Sequence, residues 1–296
     1  MRFTGTYTAL VTPFTSEGSI DWTSYEKLIE HQIQGGVDGV VAVGTTGESP
    51  TLDHQEHAEV VRRTVEFAGG RCRVLAGTGS NSTREALHLA KEAEQARADG
   101  LLIVAPYYNK PSQEGLLAHY QAIAEATPMP IMLYSIPSRC GVEIGVSTVA
   151  ELADRCSNIV ALKEAGGQVD RISQLMQEVP KDFVLLSGDD GLTLPFLSVG
   201  AQGVVSVASN LVPEAVTQLV QAALSGDYLQ AGELHQRYYQ LFRVLFIQPN
   251  PVPVKTALVW SGILGSEYVR APLTAMTEGT RSQLSDTLSA LSLPVA

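Results

Sequence analysis

Ile159-Val160-Ala161-Leu162-Lys163-Glu164-Ala165 is the stretch from which the organisation of this chain can be worked out. Its four leading apolar residues are bounded by Asn158 and by a glycine pair, a pattern typical of a short strand buried on both faces. Lys163 then lies where the predicted strand leaves the core. Because burial disfavours an ammonium ion, it favours the neutral, nucleophilic form of this lysine. The alternative is a solvated charge at a strand end, as most lysines are.

The 159–165 segment is the sixth of eight apolar segments that alternate with predicted helices. These segments are 6–11, 39–43, 73–76, 101–105, 131–134, 159–165, 183–187 and 204–207. Alternation at this spacing predicts βαβ units and a parallel sheet. Eight units in about 225 residues fit a (β/α)8 TIM barrel. A doubly wound sheet is the alternative, but it would normally carry a glycine-rich turn after its first strand, and Thr12-Pro13-Phe14-Thr15 is not one.

From Gly226 onward the pattern is helical only. The predicted helices cover 227–245, 252–263 and 280–291. We therefore divide the chain into a barrel, residues 1–225, and a C-terminal helical region, residues 226–296. We expect the second to pack on the side of the barrel or against another subunit.

Composition limits the class of protein. Hydrophobic residues make up 45% and charged residues 17% of the 296 residues, which suits a globular core. The net charge of -11 argues against nucleic acid or an anionic membrane as a partner. No secretory signal and no membrane-length apolar run is visible, and three cysteines without paired spacing argue against a disulfide framework. We expect a cytoplasmic protein.

The carboxyl ends of the strands, where the active site of a barrel lies, carry mostly hydroxyl groups. Lys163 and Arg139 are the only cations near these ends apart from Lys110, and Lys163 is the best available nucleophile. Arg139 suits a substrate carboxylate because its planar guanidinium binds two oxygens at once. A salt bridge from Arg139 to Glu143 or Asp154 is the alternative.

Three hydroxyl residues complete the predicted site. Thr45 and Thr46 lie between Gly44 and Gly47, so their N–H and hydroxyl groups can turn inward as an anion-binding loop requires. Tyr134, at the end of the fifth strand, is placed to pass a proton. The alternatives are a bare turn and a core tyrosine.

Other motifs are weaker, and we predict no metal site. Asp189 and Asp190 are adjacent on a strand exit and point different ways, with no histidine nearby. His54 and His57 share a helix face without a third ligand at suggestive spacing. The 77–82 run lacks the Gly-Lys of a phosphate-binding loop, although Ser82 and Glu85 predict a capping box there.

Several motifs, in order and at the right spacing, resemble those of the dihydrodipicolinate synthase family, which are pyruvate-dependent class I aldolases related to N-acetylneuraminate lyase. The motifs are Gly44-Thr45-Thr46-Gly47-Glu48-Ser49, Tyr107-Tyr108-Asn109-Lys110-Pro111, Tyr134 through Pro137-Ser138-Arg139, Lys163-Glu164-Ala165 and Ser187-Gly188-Asp189-Asp190. The resemblance runs from Thr6 to Pro272, and the combination is highly specific.

The resemblance implies a lyase of the diaminopimelate route to lysine, in which Lys163 forms a Schiff base with pyruvate. The resulting enamine attacks L-aspartate 4-semialdehyde, and cyclisation to 4-hydroxy-tetrahydrodipicolinate frees the lysine. The implied roles are a proton relay of Tyr134, Thr45 and Tyr108 (the last from a neighbouring subunit), carboxylate binding by Thr46 and Arg139, and a pocket lined by the backbone of Gly188 and Val205. A homotetramer without metal or organic cofactor is implied as well.

Feedback by lysine is a further implication. In lysine-sensitive members the effector binds in a crevice between subunits, and the matching positions here are Ser49, His54, His57, Asn81, Glu85 and Tyr107. A carboxylate and two imidazoles suit an ammonium–carboxylate ligand. The alternative is that the two histidines are merely solvated.

Departures from the family pattern are few. Ser135 and Cys140 stand where many members carry Asn and Thr, and Pro50 stands where some carry alanine. We expect the first two to change how the loop of Arg139 is held.

Two other functions compete. N-acetylneuraminate lyase and the keto-deoxy sugar acid aldolases share the chemistry, but they lack the arginine that follows the Pro-Ser pair here. A non-catalytic barrel that binds pyruvate-like ligands belongs to another class. It is disfavoured because Lys163, Tyr134 and Thr45 are all retained.

Overall fold

Eight parallel strands close into a barrel in the computed structural model, which describes residues 2–295. The strands are β1 (Gly5–Ala9), β2 (Gly39–Ala42), β3 (Arg73–Gly77), β4 (Gly100–Val104), β5 (Ile131–Ser135), β6 (Ile159–Glu164), β7 (Val184–Ser187) and β8 (Gly203–Ser206). Each strand pairs with the next along the chain, and β8 closes on β1 with Gly203 beside Gly5 and Ser206 beside Thr8. The predicted (β/α)8 barrel is confirmed.

Helices on the outside connect the strands. They are α1 (Trp22–Gln34), α2 (His54–Ala68), α3 (Thr83–Gln95), α4 (Gln113–Ala126), α5 (Pro137–Cys140), α6 (Val146–Arg155), α7 (Val169–Glu178), α8 (Thr193–Ser198) and α9 (Pro213–Leu224). Single 3-10 turns cover Ser49–Thr51, Asp190–Leu192 and Ala208–Asn210. Asp21 is the N-cap of α1, and its carboxylate accepts the N–H of Ser24. The four-residue α5, which carries Arg139, was not predicted.

The bounds of the strands lie within two residues of those predicted. The largest difference is at β1, which ends at Ala9 instead of Val11. The N–H of Val11 donates to the side-chain oxygen of Asn210, at 3.2 Å, and not to the neighbouring strand. The sheet ends there because a side chain takes over the pairing of the backbone.

Two apolar layers are separated by the sheet. Side chains alternate across each strand, so one set fills the barrel and the other packs under the helices. The interior layer is closed at the amino end by Phe3, which lies edge-on to Tyr7 with ring centres 6.1 Å apart. At the opposite end this layer includes Tyr134 and Val205. The polar site therefore begins where the apolar interior of the barrel stops.

Three further helices follow the barrel: α10 (Tyr228–Val244), α11 (Val252–Trp260) and α12 (Glu278–Ala290). They pack on the barrel, as one of the two predicted arrangements required, with Phe242, Leu258 and Leu284 in the apolar layer that underlies the barrel helices. The boundary at 225/226 stays a prediction. Within residues 2–295, none of the helices combines the length and apolar character that crossing a membrane demands.

Candidate active site

Lys163 lies near the carboxyl end of β6 and is 5% exposed. Ala161, two residues earlier, belongs to the barrel interior, so the strand period directs Lys163 to the same side. Burial lowers the pKa of Lys163 to about 7, against the opposing effect of the Asp190 carboxylate, and the charge of Arg139 lowers it further. At neutral pH a large fraction of this amine is therefore unprotonated.

Glu164 points the other way and is structural. Its buried carboxylate accepts from Arg171 Nε on α7 at 2.8 Å and from the N–H of Gly166 at 2.6 Å. This pairing fixes the end of β6 from outside the barrel. Lys163 is thereby left as the side chain that faces the site.

Tyr134 is the register partner of Lys163 on the neighbouring strand β5. The lysine nitrogen lies 4.1 Å from the centre of the phenol ring. Burial raises the pKa of Tyr134 to about 12, although the charge of Arg139 and a hydrogen bond with Thr45 act to lower it. The phenol is thus a neutral proton donor with a hydroxyl neighbour, and the relay that the resemblance implies stays a prediction.

Gly188 supplies the space that the lysine side chain occupies. A Cβ at this position would lie 2.9 Å from Lys163 Cε and 2.7 Å from Ala165 Cβ. Val205, on β8, is buried in the barrel interior. The structure therefore brings both predicted pocket residues to the same end of the barrel as Lys163.

The turn after β2 holds the two predicted threonines. Thr45 lines the cavity described below together with Tyr134. Thr46 is buried, and its hydroxyl oxygen accepts a hydrogen bond from Asn250 Nδ2 at 2.9 Å. Because that oxygen is already an acceptor, the Thr46 proton is available for an anion.

Arg139 lies on α5 at the mouth of the site, with an exposed side chain. The alternative salt bridges are not formed in the described part of the chain: Glu143 pairs with Arg171 at 3.2 Å, and Asp154 has no ion-pair partner. The guanidinium remains available for a substrate carboxylate.

The two departures near Arg139 are both buried. Ser135 accepts the N–H of Ile144 at 3.4 Å, which attaches the loop that follows Arg139 to the end of β5. Burial raises the pKa of the Cys140 thiol to about 11, so the thiol stays protonated. Ser135 therefore holds the loop by a neutral hydrogen bond, and Cys140 packs in the apolar core as an uncharged thiol.

Tyr108 is not part of the site formed by this chain alone. Its side chain is 89% exposed, and its backbone has φ of 72°, an uncommon conformation for a non-glycine residue. Within residues 2–295 it does not line the cavity that Tyr134 and Arg139 share. This placement is the one expected of a residue that serves a neighbouring subunit.

A cavity of about 410 Å3 connects part of the predicted substrate site with the predicted effector site, and Lys163 is not among the described residues that line it. On the substrate side its walls include Thr45, Tyr134 and Arg139. The effector residues that line it are Ser49, His54, His57, Glu85 and Tyr107. Asn81 lies outside the lining, and its carbonyl accepts from Asn109 Nδ2 at 2.9 Å.

Glu85 is the centre of the effector residues. His54 Nε2 lies 2.9 Å from one carboxylate oxygen, and the Ser80 hydroxyl donates to the other. The predicted capping box is therefore incomplete: Ser82 accepts the N–H of Glu85, but the Glu85 carboxylate is used elsewhere. The hydrogen bond from Ser80, more than that with His54, lowers the pKa of Glu85 and keeps it charged.

The two histidines differ. His54 is exposed, whereas His57 is buried with Nε2 at 2.9 Å from the Gly77 carbonyl. Burial lowers the pKa of His57, so this ring is neutral at physiological pH. The alternative that both histidines are merely solvated is wrong for His57.

Asp190 has a role that the sequence did not reveal. Its buried carboxylate accepts the Ser206 hydroxyl and the N–H groups of Val207 and Ala208, the last two at 3.0 Å. It thereby closes β7 onto the end of β8, and its charge favours protonated Lys163. The Gly188-Asp189-Asp190 run was the only signal. Among residues 2–295, no three His, Cys, Asp or Glu side chains are grouped to hold a metal ion.

Comparison with known proteins covers nearly the whole chain. A family model described as "Dihydrodipicolinate synthetase family" matches residues 2–291. The 4-hydroxy-tetrahydrodipicolinate synthase of Aquifex aeolicus (strain VF5) is 47% identical over 293 residues, 99% of each chain. The solved structure of the 4-hydroxy-tetrahydrodipicolinate synthase from Methylacidiphilum fumariolicum SolV has 55% identity and a TM-score of 0.96, covering 98% of this chain and 96% of that one.

A third relative was solved with a ligand. The structure described as DHDPS from Cyanidioschyzon merolae with lysine bound has 43% identity and a TM-score of 0.95, covering 99% of this chain and 100% of that one. Sequence and fold therefore agree along nearly the full length of these relatives.

Proposed function

The chain belongs to the dihydrodipicolinate synthetase family, and from that premise we propose that it condenses pyruvate with L-aspartate 4-semialdehyde to 4-hydroxy-tetrahydrodipicolinate, a step toward lysine. The observation that carries the proposal for this chain is Lys163. It is a buried amine whose pKa is lowered to about 7, held against Tyr134 at the carboxyl end of a barrel strand.

Lys163 is the nucleophile. Its neutral Nζ attacks the C2 carbonyl of pyruvate, water leaves, and the iminium draws electrons from the methyl group so that a methyl proton departs. The resulting enamine carbon bonds to the aldehyde carbon of the semialdehyde. The amino group of the semialdehyde then attacks the iminium carbon and displaces Lys163. The covalent Schiff base supplies the electron sink, so no separate cofactor is required.

Tyr134 and Thr45 carry the protons. With its pKa raised to about 12, Tyr134 holds its proton until a developing oxygen or nitrogen takes it, and Thr45 is the adjacent hydroxyl. Tyr108 completes the relay from a neighbouring subunit in a homotetramer. Its 89% exposure supports this assignment, because an aromatic ring so placed is suited to being covered by a partner.

Two groups bind the substrate carboxylates. Thr46 donates to pyruvate, which is consistent with the engagement of its oxygen by Asn250. Arg139, free of intramolecular ion pairs within residues 2–295, binds the semialdehyde. Gly188 and Val205 line the pocket. The three cysteines are unpaired, which suits a reducing, cytoplasmic location.

Lysine is the effector. The Glu85 carboxylate suits its ammonium group, and the relative solved with lysine bound supports a lysine site in this family. The shared cavity offers a path by which an effector at Ser49, His54 or Glu85 alters the surroundings of Tyr134.

Borohydride reduction in the presence of pyruvate tests the proposal. We expect intact mass to show one pyruvate-sized adduct per chain, located on Lys163 by peptide mapping, and turnover of aspartate semialdehyde but not of sugar acids. The Lys163→Arg variant is the control and should take up no adduct. An unmodified, folded wild-type chain would contradict the Schiff-base chemistry. Turnover of sugar acids alone would contradict the substrate.

A further inference from the structure

A fully buried ion pair joins the C-terminal region to the turn that carries Thr45 and Thr46. The side chains of Glu48 and Lys255 are wholly shielded from solvent, with Lys255 Nζ 2.5 Å from Glu48 Oε1. Lys255 also donates to the carbonyl of Tyr268 at 2.9 Å. Lys255 is on α11, so this contact connects residues 207 positions apart.

The second carboxylate oxygen of Glu48 is held from the same side. The backbone N–H of Arg270 donates to it at 3.0 Å. The Arg270 side chain continues past it, with two hydrogen bonds of 2.6 Å to the Glu56 carboxylate and one of 2.8 Å to the carbonyl of Thr51. The C-terminal region is therefore bonded to the turn through Glu48 and to the start of α2 through Glu56.

One aromatic ring lies close to both cations. Lys255 Nζ is 4.2 Å and Arg270 Cζ is 4.4 Å from the centre of the Phe14 ring. Cations at these distances are attracted by the face of the ring. Phe14 follows β1, so the first βα loop of the barrel takes part in the same cluster of contacts.

The backbone of the turn that carries Thr45 and Thr46 is strained. Glu48 has φ of 55° and Val43 has φ of 50°, the left-handed region that a β-branched residue such as valine rarely adopts. Such conformations persist only where the surroundings hold them. Thr45 and Thr46 lie between these two residues, so their positions depend on what holds the ends of the turn.

Stability alone does not account for a charge pair in this place. A buried ion pair is often no more stabilising than well-packed apolar residues of the same volume, since both ions lose their hydration. The contacts with Lys255 and Arg270 instead fix the position of the Glu48 carboxylate. Lys255 does not act as a second nucleophile, because its ammonium group donates to Glu48 and to the carbonyl of Tyr268.

We propose that the Glu48–Lys255 ion pair positions the catalytic turn, so that the C-terminal helical region sets the places of the Thr45 and Thr46 hydroxyls. This inference rests on the proposed function, since it assigns those hydroxyls to the reaction. Glu48 and Lys255 are positioning residues and do not touch substrate.

Glu48→Asp is the sharpest test. It keeps the charge, and so the buried ion pair, but shortens the side chain by one methylene, so the turn must shift or the contact must lengthen. Because misplacement of a catalytic group by about 1 Å can cost a hundredfold in rate, we expect kcat to fall at least tenfold, and KM for pyruvate to rise as Thr46 moves. Rates are expressed per site that forms the borohydride-trapped pyruvate adduct, which removes any unfolded fraction from the comparison.

The double variant Glu48→Gln/Lys255→Met is the companion, because it leaves no unpaired buried charge. It should unfold at a temperature near that of the wild type while kcat stays at least tenfold lower. The matched control is Glu267→Gln/Arg281→Met, an ion pair of the same C-terminal region that does not contact the turn and should leave kcat unchanged.

The outcomes separate the two proposals. A wild type that forms no adduct contradicts the proposed function. If the wild type forms the adduct but Glu48→Asp and the double variant keep kcat and KM within twofold per adduct-forming site, the pair is only structural and the positioning role is overturned.

Discussion

Lys163 and Tyr134 face each other across neighbouring strands, with the lysine nitrogen 4.1 Å from the centre of the phenol ring. Burial acts on both residues by penalising the charged form. It lowers the pKa of Lys163 to about 7 and raises that of Tyr134 to about 12. A neutral amine and a neutral phenol, the two forms that carbonyl addition requires, are therefore present together at physiological pH.

The first prediction concerns the pH dependence of iminium formation. Only neutral Lys163 attacks pyruvate, so the rate should rise with pH, reach half its maximum near pH 7 and level off above it, following the lowered pKa. Samples are mixed with pyruvate at each pH and quenched into borohydride at one fixed pH, so that the reduction step does not vary. A rate that keeps rising toward the ordinary lysine pKa of 10.5 would contradict the burial argument.

The second prediction concerns stability. The native pKa of Lys163 lies below that of the unfolded chain, so between about pH 7 and pH 10.5 the unfolded state binds more protons and stability rises with pH. At pH 7 the burial of Lys163 still lowers the free energy of unfolding by nearly its full amount. Lys163→Met should therefore raise the free energy of unfolding there, by roughly 2 to 5 kcal/mol at ~1.4 kcal/mol per pKa unit, and by less at higher pH.

Urea unfolding of Lys163→Met at pH 7 and at pH 9.5 measures this difference. Lys91→Met, a change of an exposed lysine on α3, is the control and should have little effect. If Lys163→Met were less stable than the wild type at pH 7, burial of the Lys163 amine would not lower the free energy of unfolding, and the prediction would be wrong.

The third prediction concerns Gly188. A methyl group there would lie 2.9 Å from Lys163 Cε, so Gly188→Ala should slow adduct formation about a hundredfold by displacing the amine. Overpacking should also lower stability by about 1–3 kcal/mol. Gly232→Ala is the matched control: a Cβ there meets nothing within 4 Å, and alanine in the middle of α10 should leave adduct formation unchanged. Adduct formation by Gly188→Ala at the wild-type rate would contradict the predicted steric clash with Lys163.

The sequence was sufficient for the residues that face each other across strands. The count of eight strands predicts that Tyr134 and Lys163, at the ends of neighbouring strands, lie at one end of a barrel, whereas the pocket role of Val205 was implied only by the family resemblance. The strand period of two directs Glu164 outward, where it pairs with Arg171. These relations are local or follow from the repeat, so a single chain reveals them.

The contacts that hold the catalytic turn could not be predicted in this way. Thr46 and Asn250 are 204 positions apart, and Glu48 and Lys255 are 207 apart. They meet because α11 and the residues that flank it pack against the turns at the carboxyl end of the barrel, a result of three-dimensional packing that carries no periodic signal. The ammonium group of Lys255 is therefore occupied by a buried carboxylate that lies far away in the sequence.

The fourth prediction concerns Arg139. Arg139→Ala should raise KM for aspartate semialdehyde, or lower kcat/KM for it, by about tenfold to a hundredfold, since a charge-assisted contact to a carboxylate is worth about 1.5–3 kcal/mol. Adduct formation with pyruvate should be largely intact at high pH. Because the charge of Arg139 lowers the pKa of Lys163, its loss should shift the pH profile of adduct formation upward. Arg155→Ala, remote on α6, controls for loss of positive charge.

The fifth prediction concerns the effector site. The Glu85 carboxylate, charged because its pKa is lowered by Ser80 and His54, should bind the ammonium groups of lysine. Glu85→Gln should therefore raise the lysine concentration that halves activity by at least tenfold, the worth of about 1.4 kcal/mol. Glu92→Gln, two turns further along α3, should keep the wild-type response. Activity of the wild type unchanged in millimolar lysine would end the effector assignment. An unaltered response in Glu85→Gln would instead move the ammonium contact to another wall of the cavity.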